Sequence, residues 1–284
     1  MKKLLELVPP GAPVAVFLDY DGTLVPIRRR PELASLRPEQ RTELTRLGRK
    51  TLVGIVSGRP LDELRRIVRV PGLAYIGNHG LEIRAKGRTW VHPGAVRQER
   101  AIGRAAAAIK AKISGFPGAF VEDKRFTVSV HFRQADARHY ASLRSAIVEE
   151  VRRSRGGLVL SRGKKVLEIK PNIRWDKGQG VLELLRRAGG SRLIFPIYVG
   201  DDRTDEDAFR SLRDRGLTIR VGSGRRTLAR YRLRGVGDVW TFLAALRPLI
   251  ASCPAPDRAR AQAKKAMRTV SLEWRPGPGG GRGG

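Results

Sequence analysis

Five short apolar runs recur along this chain, and each breaks off at a polar residue or a glycine. They cover residues 12–18, 52–56, 73–76, 193–199 and 218–221. They end at Asp19, at Ser57-Gly58-Arg59, at Gly77-Asn78-His79-Gly80, at Gly200-Asp201-Asp202 and at Gly222. A run of this length that is apolar throughout suits a strand covered on both faces, as in a parallel sheet. Amphipathic segments at 38–49, 61–68, 177–187, 205–213 and 239–249 lie between them and read as helices. The alternation predicts an α/β fold with a doubly wound, Rossmann-like parallel sheet. Ligands of such open sheets bind beyond the carboxyl ends of the strands. Asp19, Ser57, Asn78 and Asp201 are therefore expected to converge on one crevice.

The middle of the chain has a different pattern. Residues 81–85 and 88–92 read as a hairpin, followed by a helix over 95–113, strands at 119–122 and 127–133, a helix over 136–153, and a hairpin pairing 158–161 with 165–170. Hairpins mixed with helices predict an α+β module inserted into the α/β core. The expected division is a core of residues 1–80 and 172–253, a module of residues 81–171, and a basic, Gly/Pro-rich flexible tail over 254–284.

The chain of 284 residues carries 57 Lys+Arg against 27 Asp+Glu, a net charge of +30. The tail holds only seven of the basic and two of the acidic residues, so the excess is spread along the chain. A solvated surface accounts for most of it. Non-specific attraction to nucleic acid would follow from the charge, and a positive field would also steer an anionic substrate. No run approaches the ~20 apolar residues of a membrane span, and Glu6 interrupts the N-terminal leucines where a signal peptide would be apolar. Cys253 is the only cysteine. This excludes a disulfide or a cysteine metal site within one chain, and a cytoplasmic monomer is the expectation.

Against the basic background, five of the seven residues from Asp201 to Asp207 are acidic. Such carboxylates repel one another unless a cation or a helix N-terminus compensates them. Thr204 and the first turn of a helix explain Asp205 to Asp207, but not Asp201 and Asp202 at a strand end. Asp19-Tyr20-Asp21-Gly22-Thr23 follows another buried strand. A carboxylate there can attack phosphorus, and Asp21 can serve as proton donor and then as base. Gly22 permits a sharp turn, and Thr23 offers a hydroxyl. Ser57 with Gly58 and Arg59 can hold phosphate oxygens, although a serine there is often only a helix cap. Lys177, at a helix start, would neutralise phosphate charge. Hard carboxylate oxygens without cysteine suit Mg²⁺.

These motifs, Asp19–Thr23, Ser57-Gly58-Arg59, Lys177 and Gly200-Asp201-Asp202, resemble the four motifs of the haloacid dehalogenase-like (HAD-like) phosphatases. The longer runs 18–27, 77–80, 176–178 and 200–209 resemble the trehalose-phosphatase family, over about residues 12–250. The resemblance implies Asp19 as nucleophile and Mg²⁺ ligand, Asp21 as acid/base whose backbone carbonyl also binds Mg²⁺, and Asp201 as the third ligand, supported by Asp202 and Asp205. Ser57 and Lys177 would hold the phosphoryl group. The inserted module becomes a cap that recognises the sugar, with Glu122, Lys124 and Glu168 at matching positions and Asn78 beside them. Cross-strand ion pairing is the competing explanation for these cap charges.

The reaction implied is hydrolysis of trehalose 6-phosphate in trehalose biosynthesis. Two alternatives are kept. The substrate can be another sugar phosphate, such as sucrose or glucosylglycerate phosphate, because the core motifs touch only the phosphoryl group. Alternatively, the fold can be an inactive one that binds nucleic acid, a reading the intact acid pair argues against.

Overall fold

The computed structural model describes residues 2–28, 31–163, 165–189, 194–224 and 226–250. The expected tail over 254–284 and the start of the run at 193 lie outside these residues. The strands are β1 (Val14–Asp19), β2 (Leu52–Val56), β3 (Ala74–Gly77), β4 (Glu82–Ala85), β5 (Arg88–Val91), β6 (Phe120–Asp123), β7 (Val128–His131), β8 (Leu158–Gly163), β9 (Val166–Pro171), β10 (Phe195–Gly200), β11 (Leu217–Val221) and β12 (Tyr231–Leu233). The helices are α1 (Lys2–Leu5), α2 (Pro38–Gly48), α3 (Leu61–Val68), α4 (Pro93–Lys112), α5 (Tyr140–Arg153), α6 (Lys177–Arg187), α7 (Asp205–Leu212) and α8 (Val236–Ile250).

Among the described residues, eight strands form one sheet in the order β12-β11-β10-β1-β2-β3-β4-β5. Pairing is parallel from β12 to β3 and antiparallel from β3 through β5. Side chains alternate across β1, so the two faces have separate cores. Val14, Val16 and Leu18 pack with Leu44 of α2, Leu64 of α3 and Phe242 of α8. Ala15 and Phe17 pack with Leu184 of α6 and Phe209 of α7. Burying each large side chain fully contributes about 1.5–3 kcal/mol, which is why this strand tolerates no polar residue before Asp19. The strand order reverses between β10 and β2 on either side of β1, and this switch point is where α/β sheets open a crevice.

The inserted unit, the expected cap, is built on a four-stranded antiparallel sheet, β6-β7-β9-β8. It has its own core, in which Ile102 of α4 and Ile147 of α5 meet Val130, Leu167 and Ile169. The expected boundary at residue 81 is corrected. The hairpin β4–β5 extends the core sheet, with Ile76 opposite Ile83, so the inserted unit begins at α4. Ile83 faces the apolar side that α6 covers, and that burial decides the hairpin's allegiance. No helix among the described residues is long and apolar enough to cross a membrane.

Candidate active site

Asp19 ends β1 at the switch point, and the chain turns sharply behind it. The amides of Leu24 and Val25 both donate to the Tyr20 carbonyl, and the Gly22 amide donates to Val25 O at 2.7 Å. Gly22 has φ +93°, and a Cβ there would stand 2.2 Å from Oδ2 of Asp201. Glycine is thus required both by backbone conformation and by the close approach of β10's loop.

Lys177, the first residue of α6, is 2% exposed. Its Nζ donates to Asp19 Oδ1 at 2.8 Å and to Asp205 Oδ1 at 2.9 Å. Asp205 is fully buried. It accepts further from the Tyr198 hydroxyl at 2.7 Å and from the amides of Asp201 and Asp202 at 2.9 Å each. Its acceptor positions are therefore filled. It shapes the 201–202 loop and steadies Lys177, leaving Asp19 and Asp201 as the carboxylates able to take another partner. Asp202 caps the following helix, accepting from the amides of Thr204 and Asp205 and from the Thr204 hydroxyl.

Oxygens of Asp19, Asp201 and Asp205 all lie within 4.8 Å of one another. Burial, followed by the charge of Asp205, drives the Asp19 carboxyl well above its ordinary range despite Lys177. Burial with Asp205 and Asp202 pushes Asp201 up to about 7. Burial pushes Asp205 up to about 6, against the pull of Lys177. Carboxylates crowded to this degree share protons or hold a cation. The donor set is all hard oxygen, and Gly22 lets the Asp201 carboxylate come close to the turn after β1, so the residues fit a hard cation such as Mg²⁺.

The remaining core residues are placed as follows. Ser57, just after β2, is buried, and its Oγ accepts from the Arg59 amide at 3.2 Å, so the hydroxyl can still donate its own proton. Arg59 does not point to an open phosphate position. Its guanidinium forks onto both oxygens of Asp21, at 2.7 and 2.8 Å, and also meets Glu63. Thr23 is fully buried, with its hydroxyl 3.5 Å from Asp201 Oδ1. Gly58 leaves room for the His79 ring, and its carbonyl accepts from Lys124 Nζ at 3.2 Å.

The structure sets the inserted unit against the core here, with Lys124 on the Gly58 carbonyl and Glu168 on His79. Lys124 Nζ lies 3.7 Å from Glu122 and 3.9 Å from Glu168. Glu122 is also 2.8 Å from His131 Nε2. The expected Asn78 contact with substrate needs correction, because that side chain is fully buried and already engaged. It donates to Glu82 at 2.6 Å and to the Lys124 carbonyl at 3.0 Å, and it accepts from the Thr127 hydroxyl. Asn78 ties core to cap and has no spare donor.

Sequence reasoning missed Tyr198, Glu63, Glu82 and His79. Tyr198 left a signal. A tyrosine in a strand buried on both faces needs a hydroxyl partner, and the nearest acids in sequence are Asp201 to Asp205.

Comparisons with known proteins agree with this geometry. The family model described as trehalose-phosphatase matches residues 17–236, a span containing Asp19, Lys177 and Asp205. Trehalose-phosphate phosphatase B of Arabidopsis thaliana is 37% identical over 254 residues, covering 83% of this chain and 67% of its own length. Trehalose 6-phosphate phosphatase RA3 of Zea mays is 37% identical over 264 residues, covering 83% of this chain and 70% of its own. The crystal structure of a trehalose-6-phosphate phosphatase related protein superposes with a TM-score of 0.74 at 29% identity, covering 83% of this chain and 97% of that one. With the family model spanning core and cap alike, this chain belongs to the trehalose-phosphatase family.

Proposed function

We propose that the protein hydrolyses trehalose 6-phosphate to trehalose and phosphate, through a phosphorylated Asp19 and with Mg²⁺. The single observation that carries the chemistry is Asp19 at the end of β1, ion-paired to buried Lys177 and flanked by Asp201. The relatives' names support the substrate, and the cap's Glu122, Lys124 and Glu168 above the crevice supply donors and acceptors for sugar hydroxyls.

Asp19 attacks phosphorus while the bond to the sugar oxygen breaks. Lys177 holds the Asp19 carboxylate in place and offsets charge on the phosphoryl oxygens. Ser57 donates to one of those oxygens. Asp21, with one oxygen kept on Arg59 and the other turned to the ester, gives a proton to the departing alkoxide. It then takes one from the water that cleaves the acyl phosphate. The Asp19 and Asp201 carboxylates, with the Asp21 carbonyl, would hold Mg²⁺, which offsets the repulsion between Asp19 and an incoming phosphate dianion. The cap excludes bulk water and reads the disaccharide. The enzyme on this reading is a cytoplasmic monomer, and nucleic acid binds it only non-specifically through charge.

The test is phosphate release from a panel of sugar phosphates, with and without Mg²⁺. Trehalose 6-phosphate should be preferred and Mg²⁺ required. Equal rates on sucrose phosphate would remove the substrate assignment. Asp19→Asn should abolish turnover with the fold intact, and near-normal phosphate release by that variant would refute the covalent mechanism.

A further inference from the structure

The chemistry above makes no use of His79, yet the fold holds this residue in a demanding position. Its backbone sits at φ 55°, in the left-handed region that few side chains enter. Its Nδ1 is buried with no hydrogen-bond partner. The ring fits only because residue 58 is glycine, since a Cβ there would stand 2.5 Å from its Cε1 and Nε2. What the placement achieves is one contact: Nε2 lies 3.0 Å from Oε1 of Glu168, on the cap strand β9. A carboxylate only accepts, so Nε2 carries the hydrogen. Ser129 steadies the same oxygen from the cap side at 3.2 Å. Burial would raise the Glu168 carboxyl, but His79 and Lys124 outweigh it and hold the group far below its ordinary range. The neighbouring Asn78 bonds to the cap as well, at Lys124 O and Thr127 Oγ1.

We propose that His79 is a positioning residue that docks the cap onto the core through Glu168, aiming this carboxylate at the sugar when the cap is shut. The proposal rests on the sugar-phosphate reading of the site. It differs from a purely structural role for the turn in one respect: the Nε2 contact matters, not just the left-handed backbone.

Two substitutions separate these roles. Asparagine tolerates the left-handed region but is too short to reach Glu168. Glutamine restores the reach. Steady-state kinetics are measured on trehalose 6-phosphate and on p-nitrophenyl phosphate, whose leaving group has no sugar hydroxyls. His79→Asn should raise KM for the sugar ester about tenfold to a hundredfold, the equivalent of one charge-assisted hydrogen bond. The aryl ester should change less than about twofold, and His79→Gln should recover most of the loss. In a Glu168→Ala background, His79→Asn should have no further effect. Equal losses on both esters, no recovery with glutamine, or effects that multiply in the double variant would each overturn the proposal. Failure of the substrate reading shows separately, as a parent enzyme active on the aryl ester and inactive on trehalose 6-phosphate. In that event the same double-mutant cycle is read in thermal unfolding, where additive shifts overturn the contact and non-additive shifts uphold it.

Discussion

Replacing Lys177 with methionine removes one buried cation from among three carboxylates. The lysine meets Asp19 and Asp205 at 2.8 and 2.9 Å and stands 3.8 Å from Asp202. Asp19 and Asp205 are both buried, so neither gains solvent when its partner goes. Removing one member of a buried pair costs about 3–5 kcal/mol, because a charge is left uncompensated. In a chain of this size each kcal/mol lowers Tm by roughly 2–4 °C, so the expected fall is about 6–20 °C. The loss also depends on pH. Asp205 is pushed up to about 6 even with the lysine present. A carboxyl whose folded-state pKa is raised binds more protons when folded than when unfolded, so its contribution weakens as pH rises. Lys177→Met pushes these groups up further, so the penalty should be larger at about pH 8 than at about pH 5. The assay is circular-dichroism melting of parent and variant, metal-stripped, at both pH values, together with phosphate release. A variant melting within about 2 °C of the parent at the higher pH, or turning over normally, would refute the claim that this lysine neutralises the site.

Gly22→Ala forces a Cβ to within 2.2 Å of Asp201 Oδ2 at a backbone φ of +93°. The displaced carboxylate should lower turnover about 10²-fold or more and weaken Mg²⁺ binding by calorimetry. Arg59→Lys cannot reproduce the two-pronged contact with Asp21. It should lower kcat by about tenfold with KM little changed, read by steady-state kinetics, because a proton-transfer group is misaligned. Glu168 is held below its ordinary range near 4.5, so its stabilising contribution is present above that pH and lost as pH falls below it. The stability gap between parent and Glu168→Gln in urea titrations should therefore narrow from about pH 6 to about pH 3.

Much of this site was legible in the chain itself. Runs buried on both faces must be apolar throughout, so Asp19, Ser57 and Asp201 stand out where the strands stop. The rule that ligands gather beyond carboxyl ends did the rest. The acidic run at 201–207 was visible for the same reason, as charge that ordinary helix capping could only half explain. The short β12 left no such mark, because three residues are too few to carry a periodicity.

What the linear order determined, then, is local: element types, the crevice end of each strand, and the residues gathered there. The tertiary structure alone decided the partnerships. Arg59 pairs with Asp21 and Asn78 reaches Lys124 because strands distant in sequence are brought side by side. His79 faces Glu168 because the cap rests on the core. The β4–β5 hairpin joined the core sheet, although its own pattern suited either sheet. A polar side chain advertises its chemistry in the sequence. Which partner satisfies it depends on long-range packing, and that packing is carried by apolar contacts that do not specify polar pairs one by one.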